Sequence, residues 1–231
     1  MDDPHVGLQA CWYGSQYGDA TYNHSPVQGE SSNYTAPDQS VGMHLWYGAA
    51  SNQINEISWA WGPNNNNWTI EPSLAYNGHA GIGCYSWGPG SISYVMLVDH
   101  TNAVNLLWKD RNSTSAQGSQ WTNTSVSIQN AFQNTSLGYT NFFYVQMADL
   151  GIHGYNISWA AENTTVVAAD DFSIQGDQAL PGTHFSVTAI PDSSGGNSLL
   201  VFNQETGSDI VEWTRDLEAG QWSQLSLPVP A

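Results

Sequence analysis

Residues 182–225 read GTHFSVTAIPDSSGGNSLLVFNQETGSDIVEWTRDLEAGQWSQL. Four short extended segments follow one another here: His184 to Ile190, Ser198 to Asn203, Asp209 to Thr214 and Gln221 to Leu225. Between them lie Pro191 to Asn197, Glu205 to Ser208 and Asp216 to Gly220, stretches built largely of Gly, Asp, Ser and Asn. Strand-length runs of β-branched and aromatic residues, cut at short intervals by turn formers, predict an antiparallel meander. A lone meander has two bare edges and no second layer on which to bury a face. It needs copies of itself.

The rest of the chain supplies them. Trp213 lies in the third segment, and at intervals of about fifty residues upstream stand Trp159, Trp108, Trp59 and Trp12. Four of these are preceded by comparable apolar runs: Met43 to Tyr47, Tyr94 to Val98, Phe142 to Val145 and Leu199 to Phe202. A period of about fifty with strand signals inside each unit fits propeller blades. The expected fold is all-β: a β-propeller of four-stranded antiparallel blades, four of them full and a fifth partial. Residues 43–231 would hold four blade-like repeats, and residues 1–42 a partial N-terminal blade and loop, all in one domain over 1–231. The stretch Ser25 to Ser40, with Pro26, Gly29, Pro37 and Asp38, has loop composition. The partial blade could share strands with the other terminus, leave an atypical ring of four, or pair across a subunit interface as a homo-oligomer.

Within this frame a family resemblance appears. Leu199 to Gln204, then Asp209 to Trp213, then Gln221-Trp222-Ser223 resemble one repeat of the fungal fucose-specific lectins of the Aleuria type. Ile54-Asn55-Glu56 with Trp68-Thr69 resembles the second half of that repeat, and Leu8 to Trp12 its middle strand. The resemblance implies a propeller with sugar sites between blades. The family's Glu is matched at Glu56 and Glu212 and replaced by Ala10, Leu106 and Ile157 elsewhere. Its sugar-binding Arg would fall at His44, Val95, Phe143 and Leu200, and none of these is Arg.

Composition narrows the partners. Three cations, Lys109, Arg111 and Arg215, stand against 20 acids, a net charge of −17. A phosphate-tracking groove needs the opposite balance, so neither nucleic acid nor an anionic membrane is an expected partner. A pI near 4.2 suits an acidic or extracellular medium. Asn-x-Ser/Thr acceptors stand at Asn23, Asn33, Asn67, Asn112, Asn123, Asn134, Asn156 and Asn163, so a secreted glycoprotein is expected. Asn156 falls in an expected strand and is a poor acceptor. Met1-Asp2-Asp3-Pro4 lacks the cationic and apolar regions of a signal peptide, so a mature form, or one whose signal gave way to a Met, is expected. The two cysteines, Cys11 and Cys84, fit one disulfide closing a loop of about seventy residues, for which the chain-entropy estimate is roughly 4 kcal/mol.

The chemistry expected is recognition. No metal-ligand spacing joins the histidines, and neither a nucleophile elbow nor a phosphate loop is present, so no metal, cofactor or catalytic residue is expected. Sugars stack a CH face on an indole and bond their hydroxyls to carboxylate or amide side chains. Trp59, Trp108, Trp159 and Trp213 lie inside expected strands and read as blade packing. Trp68, Trp121 and Trp222 follow turns and read as stacking platforms. The candidate sugar-binding residues are therefore His44, Glu56, Trp68, Trp121, Glu212 and Trp222, with glycans, fucosylated ones included, as ligands. His44 would stand in for the missing Arg as a hydroxyl donor, with binding falling above the histidine midpoint if the charged form acts. The function expected is a secreted, lectin-like carbohydrate-binding protein. The alternatives are an extracellular assembly module without sugar sites, which the missing Arg favours, and a propeller glycoside hydrolase with an acid pair at the axis.

Overall fold

A computed structural model describes residues 8–13, 42–60, 68–86, 92–110, 120–139, 142–169, 172–174, 178–191, 197–207, 209–217 and 220–228. Within them the chain forms four four-stranded sheets, each an antiparallel meander in sequence order. The first contains β1 (Leu8–Tyr13), β2 (Gly42–Ala50), β3 (Gln53–Ala60) and β4 (Trp68–Ile70). The second contains β5 (Ile82–Ser86), β6 (Ile92–Val98), β7 (Val104–Asp110) and β8 (Thr122–Ile128). The third contains β9 (Leu137–Tyr139), β10 (Phe143–Gln146), β11 (Ile152–Ser158) and β12 (Thr165–Ala169). The fourth contains β13 (Ser186–Pro191), β14 (Asn197–Thr206), β15 (Asp209–Asp216) and β16 (Trp222–Pro228).

The apolar runs become the second strand of each sheet. β6 is buried along nearly its whole length, because a central strand between two stacked sheets has no wet face. β8, at the outer edge, alternates exposed and covered positions. First strands of successive sheets touch, β1 with β5, β5 with β9 and β9 with β13, so they form the inner side of the array.

Three cores join the sheets face to face. Trp46 and Ile54 of the first sheet pack on Ile82, Val95, Leu97 and Leu107 of the second. Met96 and Leu106 of the second pack on Phe143, Val145, Tyr155 and Ile157 of the third. Tyr144 and Ile152 of the third pack on Leu199, Val201, Val211 and Trp213 of the fourth. Neighbours in one strand, such as Leu106 and Leu107, enter different cores because side chains alternate across a sheet. Each fully buried Leu, Val or Phe contributes roughly 1.5–3 kcal/mol, so the inter-sheet cores rather than any one sheet hold the array.

Backbone proximity and polar ties complete the joints. A Cβ on Gly48 of β2 would run into the Gly78 carbonyl, so that approach requires glycine. Gln146 is fully buried; it donates to the Leu180 carbonyl at 2.9 Å and accepts from the Gly182 N–H at 2.9 Å, tying the third sheet to the connection into the fourth. In the β6–β7 turn the Asp99 carboxylate accepts from Thr101, Ala103 and Asn105. Burial pushes its pKa up, but those hydrogen bonds outweigh it and hold the carboxyl below its usual value.

One expectation changes. Residues 8–13, set apart in the sequence within a fifth unit, pair with β2 and supply the first strand of the first sheet. Trp12 is thus a first-strand residue, while Trp59, Trp108 and Trp213 lie in third strands and Trp159 just past one. The interval from Trp12 to Trp59 is not a repeat length: a strand of the right composition is recruited across the intervening segment because the first sheet needs an inner strand. The loop expectation for 25–40 lies outside the described residues, as do Asn23, Asn33, Asn67, Asn112 and Arg111.

Candidate functional site

The junction of the first two sheets brings two predicted residues together. Glu56 on β3 pairs across the strands with Trp46 on β2, and both face the second sheet. Trp121, just before β8, donates its Nε1–H to Glu56 Oε2 at 2.6 Å. Its ring meets Trp46 edge to face at a centroid distance of 5.9 Å, and Lys109 Nζ stands 5.7 Å from its ring centre. Glu56 is 1 % exposed. The following sheet's indole therefore closes over the preceding sheet's carboxylate. His44 shares β2 with Trp46, but its side chain lies outside the described set.

The third and fourth sheets make a related joint with different chemistry. Arg215 on β15 lies opposite Trp222 on β16, and its Cζ is 5.8 Å from the Trp222 ring centre. The same guanidinium is 4.3 Å from the Phe172 ring centre, and Phe172 stacks on Phe142 at 3.7 Å. Lys109 and Arg215 thus occupy matching places, each a cation over the indole at the start of a fourth strand. Between the second and third sheets the joint is aromatic: Tyr85, Tyr94, Tyr139 and Trp159 cluster, and Trp159 donates to the Tyr139 hydroxyl at 2.9 Å. Burial pushes the Tyr139 phenol up to about 12, against the lowering effect of its hydrogen bonds with Trp159 and Tyr85.

The outward face of the fourth sheet is different. Val201, Val211 and Trp213 point toward the third sheet, so alternation turns Phe202, Gln204, Ile210 and Glu212 the other way. Phe202 lies opposite Glu212 as Trp46 lies opposite Glu56, and Gln204 lies opposite Ile210 as Gly48 lies opposite Ile54. Ile54 is wholly buried, whereas Ile210 is 41 % exposed. His184, Ser186, Phe202, Gln204 and Ile210 line a shallow groove of about 380 Å³ on this face. Glu212 is half-buried and accepts from Thr214 Oγ1 at 3.2 Å. Among the described residues no indole reaches it.

The sequence candidates therefore fall in three places. Glu56 and Trp121 meet at one joint. Glu212 stands on the outward face of the fourth sheet, while Trp222, opposite Arg215, stands on the inward face, so these two do not share a site. Trp68 opens β4 and is 44 % exposed; Trp121 and Trp222 are half-buried. Trp108 and Trp213 are buried and Trp159 packs against the second core, as blade packing requires. Sequence reasoning missed Phe202, Gln204 and the paired cations Lys109 and Arg215. The signal for Phe202 was its place opposite Glu212, which is readable only once the strand register is known.

No family model matches the sequence, and no curated protein does. Solved structures do resemble the fold. The SapL1 lectin, solved in complex with α-methyl fucoside, superposes with a TM-score of 0.60 at 20 % identity over 82 % of this chain and 61 % of the lectin. The lectin of Aleuria aurantia, described as a six-bladed β-propeller, gives 0.56 at 17 % identity over 82 % of this chain and 57 % of its own. The WD40 domain of SCAP from fission yeast gives 0.53 at 10 % identity, covering 100 % of this chain and 55 % of that one. The chain thus spans about 60 % of the length of the lectins it matches, and its four sheets are consistent with part of a six-bladed array. At these identities the likeness establishes a propeller fold.

Proposed function

We propose that this chain binds carbohydrate on the outward face of its fourth sheet, without catalysis. One observation carries the reading. The cross-strand aromatic–carboxylate pair occurs twice, as Trp46–Glu56 and as Phe202–Glu212; Glu56 is sealed under Trp121, whereas Phe202 lines a groove and Glu212 lies opposite it. A sugar ring can lay its CH face on Phe202 and direct hydroxyls to Glu212, Gln204 and Ser186, a few polar groups around an aromatic floor. The propeller lectins the fold resembles support this ligand class, and SapL1, solved with a fucoside, makes fucosylated glycans the first to try. Hydrolysis fits less well: it needs two carboxyl groups flanking one bond, and Glu212 is the one carboxylate that the register sets opposite Phe202.

Secretion belongs to the same proposal. Asn123, Asn134 and Asn163 are exposed and open to glycosylation, whereas Asn156 is half-buried in β11. Cys84 is not a free thiol, and β5 that carries it touches β1 that carries Cys11, which supports a Cys11–Cys84 disulfide between the first two sheets.

The test is a glycan array with fucosylated and plain glycans side by side, followed by titration of the best ligand into Glu212→Gln and Phe202→Ala. Each variant should weaken binding about tenfold or more, equivalent to about 1.4 kcal/mol, while Glu56→Gln should leave affinity unchanged. A blank array, or equal affinity in the Glu212 and Phe202 variants, would remove the reading.

A further inference from the structure

Among the described residues the four sheets present two outer faces, and each carries half of a contact that the first joint completes. At the first joint the preceding sheet offers a carboxylate, Glu56, and the following sheet an indole at the start of its fourth strand, Trp121. The fourth sheet offers the same carboxylate position, Glu212, with no indole over it among the described residues. The first sheet offers the same indole position, Trp68, the first residue of β4.

Trp68 also faces the right way. Glu56 points to the second sheet, so Ile57 points away from it, and Ile70, opposite Ile57, does likewise. Trp68 lies two residues from Ile70 and shares that outer face. It is 44 % exposed and Ile70 78 %. On the fourth sheet, Ile190, Ile210, Leu225 and Leu227 are exposed, and their cross-strand partners put all four on the face of Glu212. Of the exposed large apolar side chains described, all but Val167 lie on these two end faces. Such rows are unusual on a surface left to water.

We infer that the chain associates head to tail with a second copy of itself, Trp68 and Ile70 of one copy covering Glu212, Ile210 and Leu225 of the next. The contact repeats in trans the packing that joins the first sheet to the second. It is heterologous, so each added copy leaves one Trp68 end and one Glu212 end, and the assembly closes as a ring or extends. The inference rests on the two faces and not on glycan binding. A glycan on Glu212 would contend with the indole for the same face, so the mass is read in sugar-free buffer.

The test is light scattering or sedimentation of the full chain over a range of concentrations. The mass should rise above 25.1 kDa as concentration increases. Trp68→Ala and Leu225→Asp should each return it to the single-chain value, with circular dichroism unchanged because both residues are exposed. Mixed together, the two variants should form pairs of twice the chain mass, since the first keeps its Glu212 face and the second its Trp68 face. Ile70→Asp serves for the first end if Trp68→Ala does not fold. A mass of 25.1 kDa at every concentration, association indifferent to these substitutions, or no pairing in the mixture would overturn the inference.

Discussion

Glu56 and Glu212 show how one residue type in one register position acquires two roles. Glu56 is covered because Trp121 donates to it at 2.6 Å and the second sheet packs over it. Hydrogen bonds to charged groups contribute about 1.5–3 kcal/mol, and a buried carboxylate robbed of its donor bears the desolvation cost. Trp121→Phe should therefore lower the unfolding free energy by about 1.5–3 kcal/mol in urea titrations, whereas Glu212→Gln should change it by less than about 0.5 kcal/mol. Equal costs for the two would mean that Trp121 is not the latch described. Lys109 and Arg215, two of only three cations in a chain with 20 acids, both stand over fourth-strand indoles.

Among the elements, the joint between the second and third sheets is sensitive to alkaline conditions. Burial holds the Tyr139 phenol neutral, with its pKa pushed up to about 12. In the unfolded chain the phenol ionises near 10. The contribution of this group is therefore complete below about pH 10 and is lost as pH rises toward about 12. The stability difference between the native chain and Tyr139→Phe, measured by denaturant at stepped pH, should shrink across that window. A difference that stays constant from pH 9 to about 12 would show that Tyr139 is not held neutral by the fold. The cluster lies where Tyr94 also accepts the Ala161 N–H at 2.9 Å, so loosening it should open the array at its middle.

For the molecule as a whole, the question is what binds the sheets into one body. The inter-sheet cores do so between neighbours, and β1 joins the first sheet from well upstream in the sequence. The proposed Cys11–Cys84 bridge would fix that strand against the second sheet. Reduction should then cost about 4 kcal/mol of stability by the loop-closure estimate, seen as a lower urea midpoint in the presence of reductant. A midpoint unmoved by reductant would argue that burial alone retains β1. The net charge of −17 works against compactness and association through self-repulsion, so the proposed end-to-end contact would rest on apolar rows and one indole rather than on ion pairs.

Much of the fold is legible locally. The meander in 182–225 and the apolar runs at 94–98 and 199–202 are set by residue type and turn chemistry over a few positions, and β6 and β14–β16 appear where those signals lie. The propeller class follows, since repeated meanders must stack. Strand phase was not legible. Trp108 shares a face with Leu106, toward the third sheet, while Trp213 points back toward the third sheet from the fourth; their loose period hides opposite facing because a one-residue slip exchanges the faces of a strand. Membership of β1 in the first sheet was hidden too, because strand pairing across a long connection leaves no local mark. The sequence alone determined that aromatic and carboxylate residues recur along the repeats. Only the tertiary structure decided that Glu56 is sealed under Trp121 while Glu212 stands on an open face, because burial depends on which sheet comes next in space and not on the residues beside it in the chain.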